Sequence, residues 1–464
     1  MLFKDITIID ENFSVKENKC VGITGDKIVY IGDEMPQNAS EYGDVYQGKG
    51  KLLMPGFYNA HAHSPMALMR GYGENMALQD WLTKRIFPFE GKLTGDAVYW
   101  GTMLCMAESL KFGIVSTSDM YYFISDMVKA VSDSGAKNNI SRSIVNFDGT
   151  GIEELDSIKE LLDAHKNFNN IENERIKIEA SLHAEYTSDE STVKGLADLS
   201  KKQNMSMQVH VSETKLEHEE CKARHGGRTP VKYLYDCGLF DVPTIAAHCV
   251  YIEDDDFDIL KEKKVTVATN PVSNLKLASG IADTGKMLEK GVNLAIGTDS
   301  VASNNSLNFI EEMKTLALVS KVRNMNPTVI TPKEAIYAAT RGGALAQGRT
   351  DCGLVKEGMK ADLIVIDIQR VHWHPIHDLL NNLVYSASGS DIELTMVDGK
   401  VLYNDGEYAT IDEEQVIFEV EKKNVLNDLR AEIEDHFYYA HQKLNKLFYT
   451  KPEMQIPSFA TLDL

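Results

Sequence analysis

The sequence predicts an α/β protein that combines a (β/α)8 TIM barrel, a small composite β-sandwich domain and a C-terminal helical tail. Three observations lead to this prediction. Short apolar runs alternate with helical stretches through residues 55–350, turn-rich extended segments lie on both sides of that region, and an amphipathic helical stretch follows at residues 411–448. We place the domains at residues 55–354 for the barrel, 1–54 plus 355–408 for the β-sandwich domain, and 409–464 for the helical extension.

The barrel prediction rests on eight apolar runs of strand length. They are Leu53–Asn59, Gly113–Thr117, Ser143–Phe147, Ile176–Leu182, Met205–Val211, Pro243–His248, Val265–Thr269 and Val292–Gly297. Strand–helix alternation is typical of a parallel sheet, and eight repeats favour a closed barrel, although an open doubly wound sheet also fits at this point. No GxGxxG or GxxxxGKS/T pattern follows a run, so the sequence does not indicate a nucleotide-phosphate loop.

The two ends of the chain are predicted to share one β domain, because neither piece is long enough to bury a core alone. The predicted strands are Ile6–Ile9, Lys27–Ile31, Lys51–Met54 and Ala361–Asp367, followed by a hairpin of Glu393–Val397 and Lys400–Tyr403. The Asp-Gly pair between the hairpin strands is a typical two-residue turn.

The C-terminal stretch has an apolar face at helical spacing. This face is formed by Phe418, Val425, Leu429, Ile433, Phe437 and Leu444. Such a face is typical of a helix that packs on the barrel or contacts a second subunit. The sequence therefore leaves both a monomer and a homo-oligomer as alternatives.

Composition and charge exclude several classes of protein. Hydrophobic residues make up 43% of the chain and charged residues 25%, which is typical of a folded globular protein. The 48 basic against 69 acidic residues give a net charge of −21, which repels phosphate backbones and anionic lipids. We therefore expect a small-molecule substrate, no nucleic acid and no membrane partner. The six scattered cysteines and the absence of a basic, apolar leader predict reduced thiols and a cytoplasmic location.

The strongest local indication of chemistry is His61-Ala62-His63, which follows the first predicted barrel strand. Residues i and i+2 of a strand point to the same side, and the C-terminal ends of barrel strands face the active site. Both imidazoles can therefore reach one ion, although two such histidines can also be ordinary core or surface residues.

Three other predicted barrel strands end in a polar residue. These residues are His210, His248 and Asp299. Together with the HxH pair they predict a metal site, and nitrogen and carboxylate ligands without cysteine suit zinc or ferrous iron. Glu213 lies three residues after His210. It is either a solvated loop residue or, if the turn folds inward, a proton carrier beside the metal.

With these residues the sequence resembles the amidohydrolase superfamily, in the branch that binds one metal through HxH, a third histidine and an aspartate. Within that branch it is similar to the 5-methylthioadenosine/S-adenosylhomocysteine deaminases and their chlorohydrolase-like relatives. The likeness rests on PGFYNAHAHSPMALMR (55–70), TIAAHCV (244–250), NPVSNLKL (270–277), GTDSVASNNSLN (297–308) and GMKADL (358–363). The last of these is similar to the strand that closes the composite β domain of those enzymes.

The resemblance implies a metal-dependent hydrolytic deaminase that releases ammonia from adenosine-type nucleosides: 5′-methylthioadenosine, adenosine or S-adenosylhomocysteine. One divalent metal per subunit, zinc in preference to ferrous iron, would supply a bound hydroxide and be held by His61, His63, His210 and Asp299. Glu213 would move protons, and His248 with Asp299 would orient the hydroxide. The fourth strand ends in Ser-Leu-His-Ala at residues 181–184, without the lysine of binuclear members, so a mononuclear site is expected.

The resemblance also implies substrate-binding roles for Trp81, Glu90, Arg142, His183 and Glu213. Trp81 aligns with an aromatic residue near the purine, Glu90 with a glutamate that binds ribose hydroxyls, and His183 with a substrate-contacting histidine. Arg142 matches one pocket arginine, but the second has no counterpart before Arg175. A single arginine favours methylthioadenosine or adenosine over S-adenosylhomocysteine, whose carboxylate would lose a charge-assisted contact.

Three other functions stay open. The same site could deaminate a guanine-like base or a pterin, or dechlorinate a triazine, but Glu90 would then have no ribose to bind. A cyclic-amide hydrolase resembling hydantoinases is disfavoured by the missing fourth-strand lysine. A non-catalytic barrel is disfavoured by the complete set of polar residues at the strand ends.

Overall fold

Two sheets organise the protein in the computed structural model, which describes residues 1–423. Their strands are β1 Leu2–Ile9, β2 Val15–Thr24, β3 Lys27–Gly32, β4 Val45–Gln47, β5 Lys51–Pro55, β6 Phe57–Ala62, β7 Ile114–Tyr121, β8 Lys137–Ile144, β9 Ile176–Leu182, β10 Met207–Val211, β11 Thr244–His248, β12 Thr266–Thr269, β13 Asn293–Ile296, β14 Leu363–Asp367, β15 Ile392–Val397, β16 Lys400–Asn404 and β17 Glu407–Tyr408. Strands β6–β13 form an eight-stranded parallel sheet in sequence order. The predicted (β/α)8 barrel is confirmed.

Helices lie between successive barrel strands in the sequence, and further helices follow the last barrel strand. They are α1 Leu78–Trp81, α2 Phe87–Glu90, α3 Gly95–Lys111, α4 Ile124–Ser134, α5 Asp156–Phe168, α6 Ile171–Glu174, α7 Glu190–Gln203, α8 Lys215–Arg224, α9 Pro230–Asp236, α10 Asp254–Glu262, α11 Pro271–Lys276, α12 Thr284–Lys290, α13 Val301–Asn304, α14 Phe309–Asn324, α15 Pro332–Tyr337, α16 Gly343–Ala346 and α17 Leu379–Tyr385. Among residues 1–423, no helix is both long and apolar enough to cross a bilayer.

The barrel closes between β6, its first strand, and the turn that follows β13, its last. The Asp299 amide N–H donates to the His61 carbonyl oxygen over 3.0 Å. Asn59 strengthens this seam, because its Nδ2 donates to Thr298 Oγ1 (2.7 Å) and its Oδ1 accepts from the Thr298 amide (3.0 Å). The seam therefore brings the end of β6 beside Asp299, where the sequence predicts a metal site.

The third barrel strand differs from its prediction. The sequence predicts it at Ser143–Phe147, whereas β8 begins and ends several residues earlier, at Lys137–Ile144. The cause is that β8 carries polar side chains in the barrel interior: Asn139 and Ser141 are buried, and Asn139 Nδ2 donates to Glu179 Oε1 over 2.6 Å. A search for apolar runs misses a strand whose buried side chains are hydrogen-bonded polar groups.

The second sheet joins the two ends of the chain, as predicted. Its order is β17-β16-β15-β14-β5-β1-β2-β3, with β4 beside β1, so the antiparallel β5–β14 pair links the N-terminal and C-terminal pieces. Some of its apolar side chains, such as Leu53 and Val365, form a core of their own, whereas others, such as Leu52 and Ile364, pack in the core of the barrel. The sequence did not predict β2 or β4. The proposed domain boundaries stay predictions.

The beginning of the C-terminal extension is helical at residues 413–423. Val416 and Val420 are buried, whereas Phe418 is 64% exposed, so Phe418 does not lie on the packed face here. The other predicted apolar positions, from Val425 to Leu444, lie outside the described residues. Lys423 forms an ion pair with Asp96 at the start of α3, which ties this helix to the barrel.

A buried ion cluster joins the barrel to the outer sheet. Lys137 at the start of β8 is 2% exposed, and it pairs with Asp362 and with Asp398 (Nζ–Oδ1 2.7 Å). The Tyr58 hydroxyl also donates to Asp362 (2.6 Å). Burial alone would raise the pKa of Asp362, but the Lys137 ammonium holds it below its usual range, so this carboxylate stays charged at neutral pH.

Replacing Lys137 should destabilise the fold strongly. We expect Lys137→Met to cost about 3–5 kcal/mol, because it leaves buried carboxylates without their cation. Thermal unfolding measures the effect. Lys159→Met is a matched control, since Lys159 pairs with Asp156 on the exposed surface; its effect should stay within about 0.5 kcal/mol. Equal shifts in the two variants would contradict this account.

Candidate active site

Two histidines project from the end of β6 into the barrel mouth. His61 and His63 are two residues apart and therefore lie on the same side of the strand. The His63 Nδ1–H donates to the Met120 carbonyl oxygen over 2.6 Å, which leaves Nε2 as an acceptor. His61 Nε2 is buried and has no hydrogen-bond partner among the described residues. Both rings therefore present an Nε2 lone pair to the same point.

His210 and Asp299 approach this point from the other strands. His210 lies near the end of β10, and its Nδ1–H donates to the His183 carbonyl oxygen (2.7 Å). Its Nε2 therefore faces His63 Nε2 at 3.3 Å. Asp299 Oδ1 lies 3.3 Å from His63 Nε2 and 3.6 Å from His61 Nε2. The four residues that the sequence predicts as metal ligands are thus brought together.

The separations between these atoms fit a metal ion. Ligands at about 2.0–2.1 Å from a tetrahedral zinc lie roughly 3.4 Å from one another. The observed 3.3 to 3.6 Å agree with this spacing. The unpartnered, buried Nε2 of His61 supports the same conclusion, because buried polar atoms normally have a partner. The three nitrogens and one carboxylate oxygen therefore fit a divalent metal.

Protonation at neutral pH also favours metal binding. Burial lowers the pKa of His61 to about 4 and that of His210 well below its usual range, so both imidazoles are neutral ligands. Burial alone would raise the pKa of Asp299, but His61 and His63 hold it well below its usual range. Burial alone would lower the pKa of His63, but the neighbouring Asp299 raises it. The cluster therefore presents two neutral imidazoles, those of His61 and His210, and an ionised carboxylate that lies beside His63.

His248 and Glu213 lie beside the ligand cluster. His248 ends β11, and its Nδ1 lies 2.8 Å from Asn274 Oδ1, which fixes the ring orientation. Its Nε2 faces Glu213 Oε2 at 3.8 Å. Glu213 is 7% exposed, so the turn after β10 folds inward and Glu213 is not a solvated loop residue. Burial raises the pKa of Glu213, although His248 acts in the opposite direction.

The ligand cluster forms the floor of a cleft of about 630 Å³. Trp81, Glu90, His183 and Glu213 all line it, as four of the five predicted substrate-binding residues. Apolar and aromatic side chains complete the walls: Met66, Leu78, Leu82, Ile86, Phe87, Met120, Tyr121, Tyr122, Tyr186 and Leu277. Among the described residues, no lysine or arginine lines this cleft.

Burial shifts the pKa values of two lining residues, Glu90 and His183. Burial raises the pKa of Glu90 to about 7, although the Tyr121 hydroxyl and His63 act against this rise. Burial lowers the pKa of His183 to about 4, so its ring is neutral, and its Nδ1 has no partner within residues 1–423. The Glu90 carboxyl and His183 Nδ1 can therefore both form hydrogen bonds with a ligand in the cleft.

Arg142 lies behind the cleft wall. Its Nε donates to Glu160 Oε2 (2.6 Å) and an Nη donates to the Ser143 carbonyl oxygen (2.6 Å). The guanidinium also lies 4.7 Å from the ring centroid of Tyr122, which itself lines the cleft. The guanidinium is already bonded to Glu160 and to the Ser143 carbonyl oxygen, so direct contact of Arg142 with the substrate stays a prediction.

Comparison with known proteins assigns the family. The model of the amidohydrolase family matches residues 52–402, which is most of the chain. The chain belongs to the amidohydrolase family. Two similar proteins, from Caldanaerobacter subterraneus subsp. tengcongensis and Dictyoglomus thermophilum, are named 5-methylthioadenosine/S-adenosylhomocysteine deaminase. The first is 41% identical and the match covers 93% of this chain and 99% of that one; the second is 40% identical, covering 91% and 98%.

Solved structures share the fold of this amidohydrolase. An adenosine deaminase from Xanthomonas campestris with bound zinc is 27% identical, with a TM-score of 0.85 over 91% of this chain and 97% of that one. Atrazine chlorohydrolase from Arthrobacter aurescens is 20% identical, with a TM-score of 0.84 over 91% and 99%, which shows the fold alone. The predicted resemblance is confirmed.

Several neighbours of the site were not singled out by the sequence. Ser273 Oγ and Ser303 Oγ donate to Asp299 Oδ2 at 2.5 and 3.0 Å, which turns Oδ1 toward the histidines. Asn274 holds His248. The signal was present, because Ser273 and Asn274 lie in the NPVSNLKL segment and Ser303 in GTDSVASNNSLN, two of the segments that carry the amidohydrolase resemblance.

Proposed function

We propose that this amidohydrolase is a zinc-dependent hydrolytic deaminase of adenosine-type nucleosides. The observation that carries the proposal is the approach of Glu213 and His248 to the four predicted ligands, at the floor of a cleft with apolar and aromatic side chains in its walls. The two deaminases at 40 and 41% identity support the reaction class. The zinc bound by the Xanthomonas adenosine deaminase supports zinc over iron.

Each residue at the floor has a distinct part in the reaction. His61, His63, His210 and Asp299 would hold a divalent metal, which would supply a water whose pKa is lowered toward about 7. Glu213, whose pKa is raised by burial, donates its proton to the ring nitrogen as the hydroxyl group adds to the ring carbon. It then takes the proton of that hydroxyl group and passes it to the amine, which departs as ammonia while the carbonyl forms. His248, fixed by Asn274, and Asp299 orient the attacking water.

The cleft walls supply the recognition of the nucleoside. Trp81 offers an aromatic surface to the purine, and the partly buried carboxyl of Glu90 can accept hydrogen bonds from ribose hydroxyls. The unpartnered His183 Nδ1 can bind a polar atom of the substrate. Arg142 acts through Tyr122, on which its guanidinium lies.

The buried, unpaired cysteines support a cytoplasmic location.

The cleft favours an uncharged 5′ group. With no lysine or arginine among its described lining residues, it offers no counter-ion to the carboxylate of S-adenosylhomocysteine. A buried carboxylate without a partner is costly. The apolar side chains of Leu78, Leu82 and Ile86 suit a methylthio group instead.

A substrate panel tests this specificity. We expect kcat/KM to be highest for methylthioadenosine and adenosine, and about tenfold or more lower for S-adenosylhomocysteine and for adenine, which lacks the ribose. Glu90→Gln should lower kcat/KM for the nucleosides about 10- to 100-fold and leave that for adenine unchanged. A higher kcat/KM for S-adenosylhomocysteine, or equal losses on adenine, would contradict the assignment.

A further inference from the structure

The turn after β10 directs three consecutive amide N–H groups at one carboxylate, that of Glu217. Glu217 Oε1 accepts from Ser212 (2.8 Å), and Oε2 accepts from Glu213 (2.7 Å) and from Thr214 (3.4 Å). Ser212 has φ 49°, in the left-handed region that is unfavourable for a residue other than glycine. The backbone that carries Glu213 is thus held in an unfavourable conformation by a side chain of α8.

Capping of helix α8 explains only the weakest of these three bonds. Thr214 is the N-cap residue: its Oγ1 accepts from the Glu217 amide (3.1 Å) and its own N–H donates to the Glu217 carboxylate, as in a capping box. The two shorter bonds reach beyond the N-cap to Ser212 and Glu213. Glu217 therefore organises the turn as well as the helix start.

Glu217 is buried without a cation to neutralise it. The residue is 5% exposed, and its carboxylate receives only backbone N–H groups within the described part of the chain. Burying a carboxylate in this way is costly. It is not among the residues that line the cleft. Capping of a helix does not require a buried carboxylate. The burial of Glu217 is therefore explained by its bonds to the turn rather than by capping alone.

We propose that Glu217 is a positioning residue that holds Glu213 in the geometry needed for proton transfer. The inference rests on the proposed function, because it concerns the same reaction. The three bonds fix the path of the backbone from Ser212 to Thr214. Without them the turn relaxes from the left-handed conformation of Ser212, and the Glu213 carboxyl moves away from His248.

Substitution of Glu217 tests this inference. In Glu217→Gln the single amide oxygen cannot replace two carboxylate oxygens, and the NH2 group opposes one of the N–H groups. We expect kcat to fall about 10- to 100-fold, as for a small displacement of a catalytic group, with KM and metal content unchanged. Glu217→Asp is a second variant in case the first folds poorly: it can still cap Thr214 but is too short to reach Ser212, so kcat should fall likewise.

A double-mutant cycle separates positioning from a purely structural role. Adding Glu217→Gln to Glu213→Gln should lower kcat no further, because Glu217 acts through Glu213. Glu219→Gln, on the exposed side of the same helix, should leave kcat unchanged. Normal kcat in both Glu217 variants, loss of metal, or an added full loss in the double variant would overturn the inference. Unchanged kcat in Glu213→Gln would instead overturn the proton-transfer role in the proposed function.

Discussion

Replacing Glu213 by glutamine should lower kcat by about 10²- to 10⁴-fold and leave the metal in place. Glutamine keeps the size of the side chain but cannot give up or take the proton that the leaving amine requires. Glu213 belongs to neither of the two groups of potential ligand atoms at the barrel mouth, which are His61, His63 and His210, and His61, His248 and Asp299, so metal content should not change. The measurements are kcat by ammonia release and metal content by elemental analysis of the same protein sample.

The surroundings of Glu213 explain the size of this effect. Burial raises its pKa, so the carboxyl is a better proton donor near neutral pH than a solvated glutamate. Its only close partners in the described chain are Ser279 Oγ at 3.5 Å and His248 Nε2 at 3.8 Å, which leaves the carboxyl free for the substrate. Near-normal turnover in a metal-replete Glu213→Gln protein would remove this role.

Replacing Asp299 by asparagine should remove both metal and activity. The carboxylate is the only anion among the four predicted ligands, and an amide oxygen does not supply its charge. Loss of an outer-shell partner alone typically weakens metal affinity about 10- to 100-fold, so loss of this ligand should exceed 100-fold. Competition with a chelator measures the affinity independently of turnover.

A matched aspartate separates this effect from a general loss of stability. Asp258 lies on the exposed surface of α10 and pairs with Lys290. Asp258→Asn should keep wild-type metal affinity and turnover, because exposed ion pairs contribute little to stability. If Asp299→Asn retained one tightly bound metal, the ligand set inferred from the structure would be wrong.

Much of the fold could be predicted because buried strands of a parallel sheet are apolar. Ile176–Leu182 is both the predicted and the observed range of β9. The first barrel strand is an instructive exception: the apolar run Leu53–Asn59 divides between β5 in the outer sheet and β6 in the barrel. One continuous run cannot show that the chain passes from one sheet to the other at Gly56.

The residues of the candidate site were easier to predict from the sequence than the directions in which their side chains point. Alternation along β6 places His61 and His63 on one side, but no periodicity places a residue in a turn. Ser212, His248 and Asp299 have φ of 49°, 70° and 59°, so the chain bends sharply at each of these strand ends. Such bends decide where Glu213 and Asp299 point, and they depend on distant partners such as Glu217 and Ser273.

Ammonia release from adenosine and methylthioadenosine by the zinc-loaded protein, with Asp299→Asn measured in parallel, tests the central claim most directly. The account predicts one ammonia for each nucleoside consumed by the wild-type protein and none from the variant. No ammonia from either nucleoside, in protein that contains one zinc per chain, would contradict it. Release from guanine, a pterin or a halogenated triazine instead would keep the metal site and assign Glu90 to another ligand.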